Sequence, residues 1–253
     1  MDLSNRISNS NFKVKNEILK FEIKKLIRQK RTRIISILYL LVSLFWMVRM
    51  GNYSKTDKIS WIKEDFVDMS TQYMSILIIF ICIIVSGLIP MEYKNNLMEV
   101  LKTTKNWKKN FMSAKLKSAL LLPNVFYFIY LVIVLYDFNK IKIYLNSLEM
   151  NNLKNNVYLD LLAAYVSVNV TTIVCLYISY KLKKDMFTCI MIVVISYIML
   201  LLPEIGGVMI FAILSPISFA QLNMYSEIRI YYIALFIYVV MALCFIFRLK
   251  KCR

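Results

Sequence analysis

The chain contains no histidine. Intramembrane chemistries that rest on imidazole are thereby excluded: Ser-His and Cys-His peptidases, His-ligated zinc proteases and most acyltransferases. Glycine is nearly as scarce. Gly51, Gly87, Gly206 and Gly207 are the four in the chain, and no pair of them has the spacing of a phosphate loop ahead of Lys-Ser or Lys-Thr. The chain is therefore not expected to bind or hydrolyse nucleotide by itself. The five cysteines, Cys82, Cys175, Cys189, Cys244 and Cys252, include no C-x-x-C pair. They read as ordinary buried thiols, with no metal or disulfide role.

Charge is absent from seven long stretches: Ile34–Val48, Met69–Met91, Ser118–Tyr136, Leu161–Tyr180, Met186–Pro203, Ile205–Ser226 and Ile230–Phe247. A helix rises about 1.5 Å per residue and needs about 20 apolar residues to cross the hydrocarbon of a bilayer, so most of these are plausible spans. With 59% hydrophobic residues, a water-soluble domain of this size would expose apolar surface it has no means of covering. Within the stretches the polar groups are neutral, among them Ser86, Ser167, Asn169, Thr171, Thr172, Ser179 and Ser196. Asn169 and Thr172 share one helical face and, with Ser196, are candidates to line a pathway. The competing reading is that such residues join neighbouring helices by hydrogen bonds.

What is abundant is positive charge, and it is one-sided. The N-terminal segment, the Glu92–Lys117 loop, the Lys181–Asp185 loop and the C-terminal tail carry 24 Lys and Arg against six acids, whereas the remainder carries eight against nine. Lys and Arg are enriched on cytoplasmic flanks, which places both termini in the cytoplasm and requires an even number of crossings. Seven candidates are one too many. The weakest is Ile205–Ser226, opened by Gly206 and Gly207, interrupted by Pro216 and polar at Gln221 and Asn223. A short, broken apolar segment reads as a re-entrant hairpin, here 203–226. The expectation is an all-α polytopic membrane protein with six crossing helices and an external hairpin before the last. Single-cysteine labelling in a cysteine-free background should find Lys105 and Lys184 cytoplasmic, and Lys58 and Asn151 external. Labelling of Lys105 from outside would overturn this topology.

The N-terminus shows no short apolar core followed by a cleavage site, so the first span is expected to serve as an uncleaved anchor. Before it, Phe12–Arg33 is amphipathic. Phe12, Leu19, Ile23, Leu26 and Ile27 fall on one helical face, and Lys13, Lys20, Lys24, Arg28 and Arg31 on the other. Such a helix lies in the headgroup plane with its cations toward anionic lipid. Nucleic acid is not an expected partner, because the apolar face would then be left uncovered. The domains read as 1–33, an amphipathic connecting helix; 34–250, the six-helix transmembrane domain; and 251–253, a basic tail. Lysine outnumbers arginine 24 to 8, the bias of an AT-rich genome, pointing to the plasma membrane of a low-GC bacterium. Tyrosine and phenylalanine number 17 and 15, and an interior with no buried charge and many aromatics suits an amphipathic substrate better than a small ion. Helix packing and interface anchoring are the other reading of those rings.

The loop after the second span carries an apolar edge, Leu97, Met98 and Leu101, beside the acids Glu92 and Glu99 and the base Lys94; Thr103–Asn106 breaks it before a second helix enters the membrane. The run Ser86-Gly-Leu-Ile-Pro-Met-Glu-Tyr-Lys-Asn-Asn-Leu-Met-Glu-Val-Leu-Lys-Thr-Thr-Lys-Asn-Trp, with Lys115 beyond it, resembles the segment after the second helix of ABC-2-type transporter permeases. Glu92, Asn95–Asn96, Val100–Leu101 and Thr103–Thr104 occupy the places of that family's acidic residue, small pair, Leu-Leu and Ser/Thr. Asn95–Asn96 stands where the family has Gly-Thr, and the usual turn proline is missing. The amphipathic leader resembles the family's connecting helix, and Leu202-Pro-Glu-Ile-Gly-Gly through Leu214-Ser-Pro-Ile-Ser-Phe resembles its external hairpin.

The resemblance implies a permease half that pairs with a second half and binds no cofactor directly, ATP and magnesium residing on separate ABC ATPase subunits. It implies contact with those ATPases through Glu92, Lys94, Leu97, Met98, Glu99 and Leu101 in the 92–117 loop, and export of an amphipathic peptide, antibiotic or lipid-like substrate, as in antimicrobial-peptide or lantibiotic immunity permeases. A non-transporting sensor or regulatory protein is the alternative. A secondary carrier would show inverted repeats or a midplane carboxylate, and the chain shows neither.

Overall fold

The computed structural model describes residues 17–49, 59–94, 107–142, 147–206 and 228–251, and among these the chain is helical, with no strand. Among the described residues eight helices follow one another: α1 (17–28), α2 (Lys30–Arg49), α3 (Ile59–Ser86), α4 (Pro90–Lys94), α5 (Trp107–Ile141), α6 (Ser147–Leu182), α7 (Asp185–Gly206) and α8 (Ile228–Lys251). Five of them, α2, α3, α5, α6 and α8, are long and apolar enough to cross a bilayer, and α7 adds 22 residues with an apolar beginning. The protein is a polytopic all-α membrane protein.

Helical structure runs past the uncharged stretches. α5 has 35 residues and α6 has 36, about 50 Å each at 1.5 Å per residue and well beyond the hydrocarbon thickness. The extra turns are polar: Trp107–Lys117 at the start of α5 and Ser147–Asp160 at the start of α6. Charge terminates a membrane span, but it does not terminate a helix, because outside the hydrocarbon Lys, Glu and Asn are solvated by water or paired with one another. α5 therefore continues at the basic end of the bundle, where Phe111, Met112 and Lys115 pack inward, and α6 begins at the opposite end.

α3 is the central helix. It packs against α2, α5, α6 and α7, and 72% of its apolar window is buried against 17% for α8 and 28% for α2. The outer helices accordingly show large apolar side chains outward, including Leu41, Phe45 and Val48 on α2 and Phe236, Leu243 and Phe247 on α8, as lipid-facing surfaces do. Aromatic rings fill the seam between α2, α3 and α5. Tyr39 stacks on Phe126 at 4.4 Å, Trp46 stacks on Tyr73 at 5.7 Å, and Tyr73 lies 5.3 Å from Tyr130. Their polar tips are satisfied inside: Tyr39 donates to the Phe126 carbonyl, Ser43 and Tyr73 share a 2.7 Å hydrogen bond, and the Trp46 indole donates to the Met69 carbonyl. In these buried positions the rings are packing elements joining three helices. For them the packing reading applies, and they lend no support to the substrate argument drawn from aromatic abundance.

Two boundaries differ from the sequence reading. α1 ends at residue 28, within the expected Phe12–Arg33 amphipathic helix, and Arg31 and Arg33 belong to α2. Gln29 separates the two, yet its N–H still reaches the Lys25 carbonyl and its carbonyl still accepts from Arg33, both at 3.1 Å. The ladder is loosened at one residue and not broken. At the other end α7 runs through Pro203 to Gly206, so the first four residues of the expected 203–226 hairpin are the last turn of a helix. The rest of that hairpin, with Gly207 and Pro216, lies outside the described residues.

Candidate coupling site at the basic end

The orientation of α1 departs from simple amphipathicity. Leu26 is buried against the bundle, but Glu22 is buried with it and Lys25 is half-buried, while Phe21 and Ile27 are exposed along with Lys20, Lys24 and Arg28. Phe12 lies outside the described residues. A carboxylate and an ammonium turn inward because a charged partner waits for each of them.

Those partners come from α4 and α5. After α3, residues 87–89 form a turn, and Pro90 opens the five-residue α4 at the first helical position, where its missing N–H costs nothing. The turn aims Glu92 back into the protein, where it is 1% exposed. Lys25 donates to both Glu92 oxygens, at 2.6 and 2.7 Å. Lys115 of α5 donates to Glu92 Oε1 at 2.6 Å and pairs with Glu22 Oε2 at 2.6 Å. The Lys115 ammonium also lies 5.4 Å from the centre of the Phe111 ring. Two acids and two bases thus alternate in a chain, Glu22, Lys115, Glu92, Lys25, with no net charge.

Neutrality is what makes this burial tolerable. Desolvating a single carboxylate or ammonium costs several kcal/mol, and only short charge-assisted hydrogen bonds with every partner present offset it. The expectation of an interior without buried charge is corrected here. The uncharged stretches are free of Asp, Glu, Lys and Arg as read, but Glu92, Lys115 and Asp137 beside them are buried, and so is Glu22 on α1. A window of apolar residues does not reveal that flanking charges fold inward onto one another.

A second ionic group lies nearby. Arg31, in the first turn of α2, bonds Asp185 at the start of α7 at 3.2 Å and the Ser86 hydroxyl at 3.4 Å. Lys94 stands 3.9 Å from the other Asp185 oxygen. Lys183, in the left-handed conformation with φ 55° where α6 ends, places its ammonium 4.9 Å from the centre of the Tyr93 ring. The Ser179 hydroxyl donates to the Ser86 carbonyl at 2.7 Å. The start of α2, the α3–α4 turn and the α6–α7 loop are therefore tied together beside the four-residue cluster.

Of the coupling residues expected from sequence, Glu92 lies at the centre of the cluster and Lys94 is exposed beside it, whereas Leu97, Met98, Glu99 and Leu101 fall outside the described residues. Among the pathway candidates, Thr172 is buried and donates to the Val168 carbonyl at 2.8 Å. Asn169 forms a reciprocal amide pair with Asn124 of α5, at 3.3 and 3.4 Å, and each Asn also donates to the carbonyl four residues back. This geometry joins α5 to α6. Ser196 sits in α7, and Gly206 ends that helix. Sequence reasoning missed Glu22, Lys25, Arg31, Asp185 and Asn124 as partners. Glu22 left a legible trace, since it lies in the same helical sector as Leu19 and Leu26, where an acid needs a reason.

The same stretch carries the family signature. Comparison with curated proteins gives no match. The family model described as ABC-2 family transporter protein matches residues 18–199, more than two thirds of the chain, from α1 through most of α7 and including every member of both ionic groups. The chain belongs to the ABC-2 transporter family, as a multi-pass membrane subunit with a permease role.

Proposed function

We propose that this permease is the membrane half of an ATP-driven exporter in the plasma membrane, working with separate ABC ATPase subunits that carry ATP and magnesium and with a second permease half. The ATPases press on the basic end of the bundle, and α1 and α4 receive that push together. The observation that supports this reading is the position of Glu92. It sits on the short helix that faces the basic end, yet its carboxylate is buried between a lysine of α1 and a lysine of α5. A rigid ionic joint of this kind makes α1, α4 and the start of α5 move as a unit. The exposed Lys20, Lys24 and Arg28 beside Phe21 and Ile27 fit a helix seated among anionic headgroups. The substrate is an amphipathic peptide, antibiotic or lipid-like molecule leaving the membrane, conferring self-protection.

Lys25→Met tests the joint with the least damage to folding, because Glu92 keeps Lys115 as a partner. Deleting the gene together with its ATPase should lower the inhibitory concentration of a lantibiotic or bacitracin-like peptide. Returning the Lys25→Met chain should restore ATP hydrolysis by the purified complex but little of the resistance, whereas the wild-type chain restores both. Full resistance with Lys25→Met would show that α1 and α4 need no ionic joint. A broad peptide panel with no shift on deletion would overturn the substrate class.

A further inference from the structure

Resting on the coupling reading above, the geometry points to Asp185 as a positioning residue that makes α7 follow the α3–α4 turn. α7 packs on α3 and α6, with Ile192 buried there, while Met186, Phe187, Ile190, Val194 and Ile195 are exposed. Apolar contact is non-directional, and with those side chains of its first three turns facing outward it fixes the axial position of α7 less firmly than a paired charge does. The Asp185 carboxylate is such a charge. It begins α7, accepts the Met186 N–H at 2.9 Å, and faces cations from two other elements, Arg31 of α2 at 3.2 Å and Lys94 of α4 at 3.9 Å. A negative charge at a helix start also suits the helix dipole.

Arg31 is held against the turn by a notch in the backbone. A Cβ at Gly87 would come within 2.7 Å of Arg31 Nη1 and 3.3 Å of Cζ, so the guanidinium occupies the space a side chain would fill. Its other nitrogen reaches Ser86 at the end of α3. Arg31 therefore touches the turn by shape and α7 by charge. A displacement of the α3–α4 turn pulls on Arg31, and through Asp185 on the head of α7. Glycine at 87 and aspartate at 185 are two parts of one linkage.

The test uses the permease assembled with its ATPase in lipid nanodiscs, with spin labels in a cysteine-free chain at Met186 and Leu243, which report α7 against α8, and separately at Lys20 and Leu243, which report α1 against α8; Leu243 is exposed on α8, outside both ionic groups. Distances are compared without nucleotide and with vanadate-trapped ATP. In the otherwise unmodified complex both pairs should shift, because α1 takes the push and α7 follows it. In Asp185→Asn the Met186–Leu243 shift should be lost while the Lys20–Leu243 shift persists; Gly87→Ala, which displaces the guanidinium and leaves both charges in the chain, should give the same loss, and Asp185→Glu should retain the shift. Survival of the Met186–Leu243 shift in Asp185→Asn or in Gly87→Ala overturns the inference and leaves the coupling reading intact. Absence of any shift at both pairs in the unmodified complex overturns the coupling reading and this inference with it.

Discussion

Lys115→Met should destabilise the protein by about 3–5 kcal/mol, the cost of removing one partner from a buried ion pair. Lys115 is 1% exposed and bonds two carboxylates. Methionine matches its length and apolar stem, so packing survives while the ammonium is lost. Glu92 keeps Lys25, but Glu22 is left as a buried carboxylate facing a second one. Glu22→Gln in the same chain should recover part of the loss, because it removes the stranded charge while adding a neutral amide. Thermal unfolding of the detergent-solubilised chain, followed by circular dichroism and by accessibility of a cysteine placed on α1, measures both. A Lys115→Met protein as stable as wild type would mean that water reaches Lys115 and the cluster is not enclosed.

Ala234→Leu should cost about 1–3 kcal/mol, the penalty for overpacking a tight core, and should release α8 from the bundle. α8 docks mainly on α6, through a small cluster of Ala163, Val170, Ala234 and Tyr238 in which both alanines are fully buried. Between membrane helices there is no water to expel, so close approach through small residues does the holding. A leucine at 234 would push the two backbones apart, and α8 has little other buried surface to keep it in place. Disulfide trapping between cysteines introduced on α6 and α8 should drop sharply in Ala234→Leu. Phe236→Leu, altering a side chain that is 67% exposed, should leave trapping unchanged. Equal trapping in both variants would show that α8 is held by something other than this contact.

The amino-acid sequence by itself determined the solvent of this protein, its helical class and the apolar part of each long helix. Absence of charge over about 20 residues is a local property, and lipid enforces it on every segment independently. The one-sided lysines are likewise countable without a structure, and Glu92 stood out by its place in a motif. Tertiary structure alone decided what the charges beside the membrane do. Glu22, Lys25, Glu92 and Lys115 come from three separate helices, and Arg31 and Asp185 lie 154 positions apart. Lys25, Lys115, Arg31 and Asp185 look, each in its own segment, like solvated flanks. Burial becomes affordable only when opposite charges arrive together, and that is a property of the packing, which no local window contains. The same holds for Asn124 with Asn169, whose amides satisfy each other across α5 and α6, and for Gly87, whose missing side chain matters because a guanidinium from α2 lies against it.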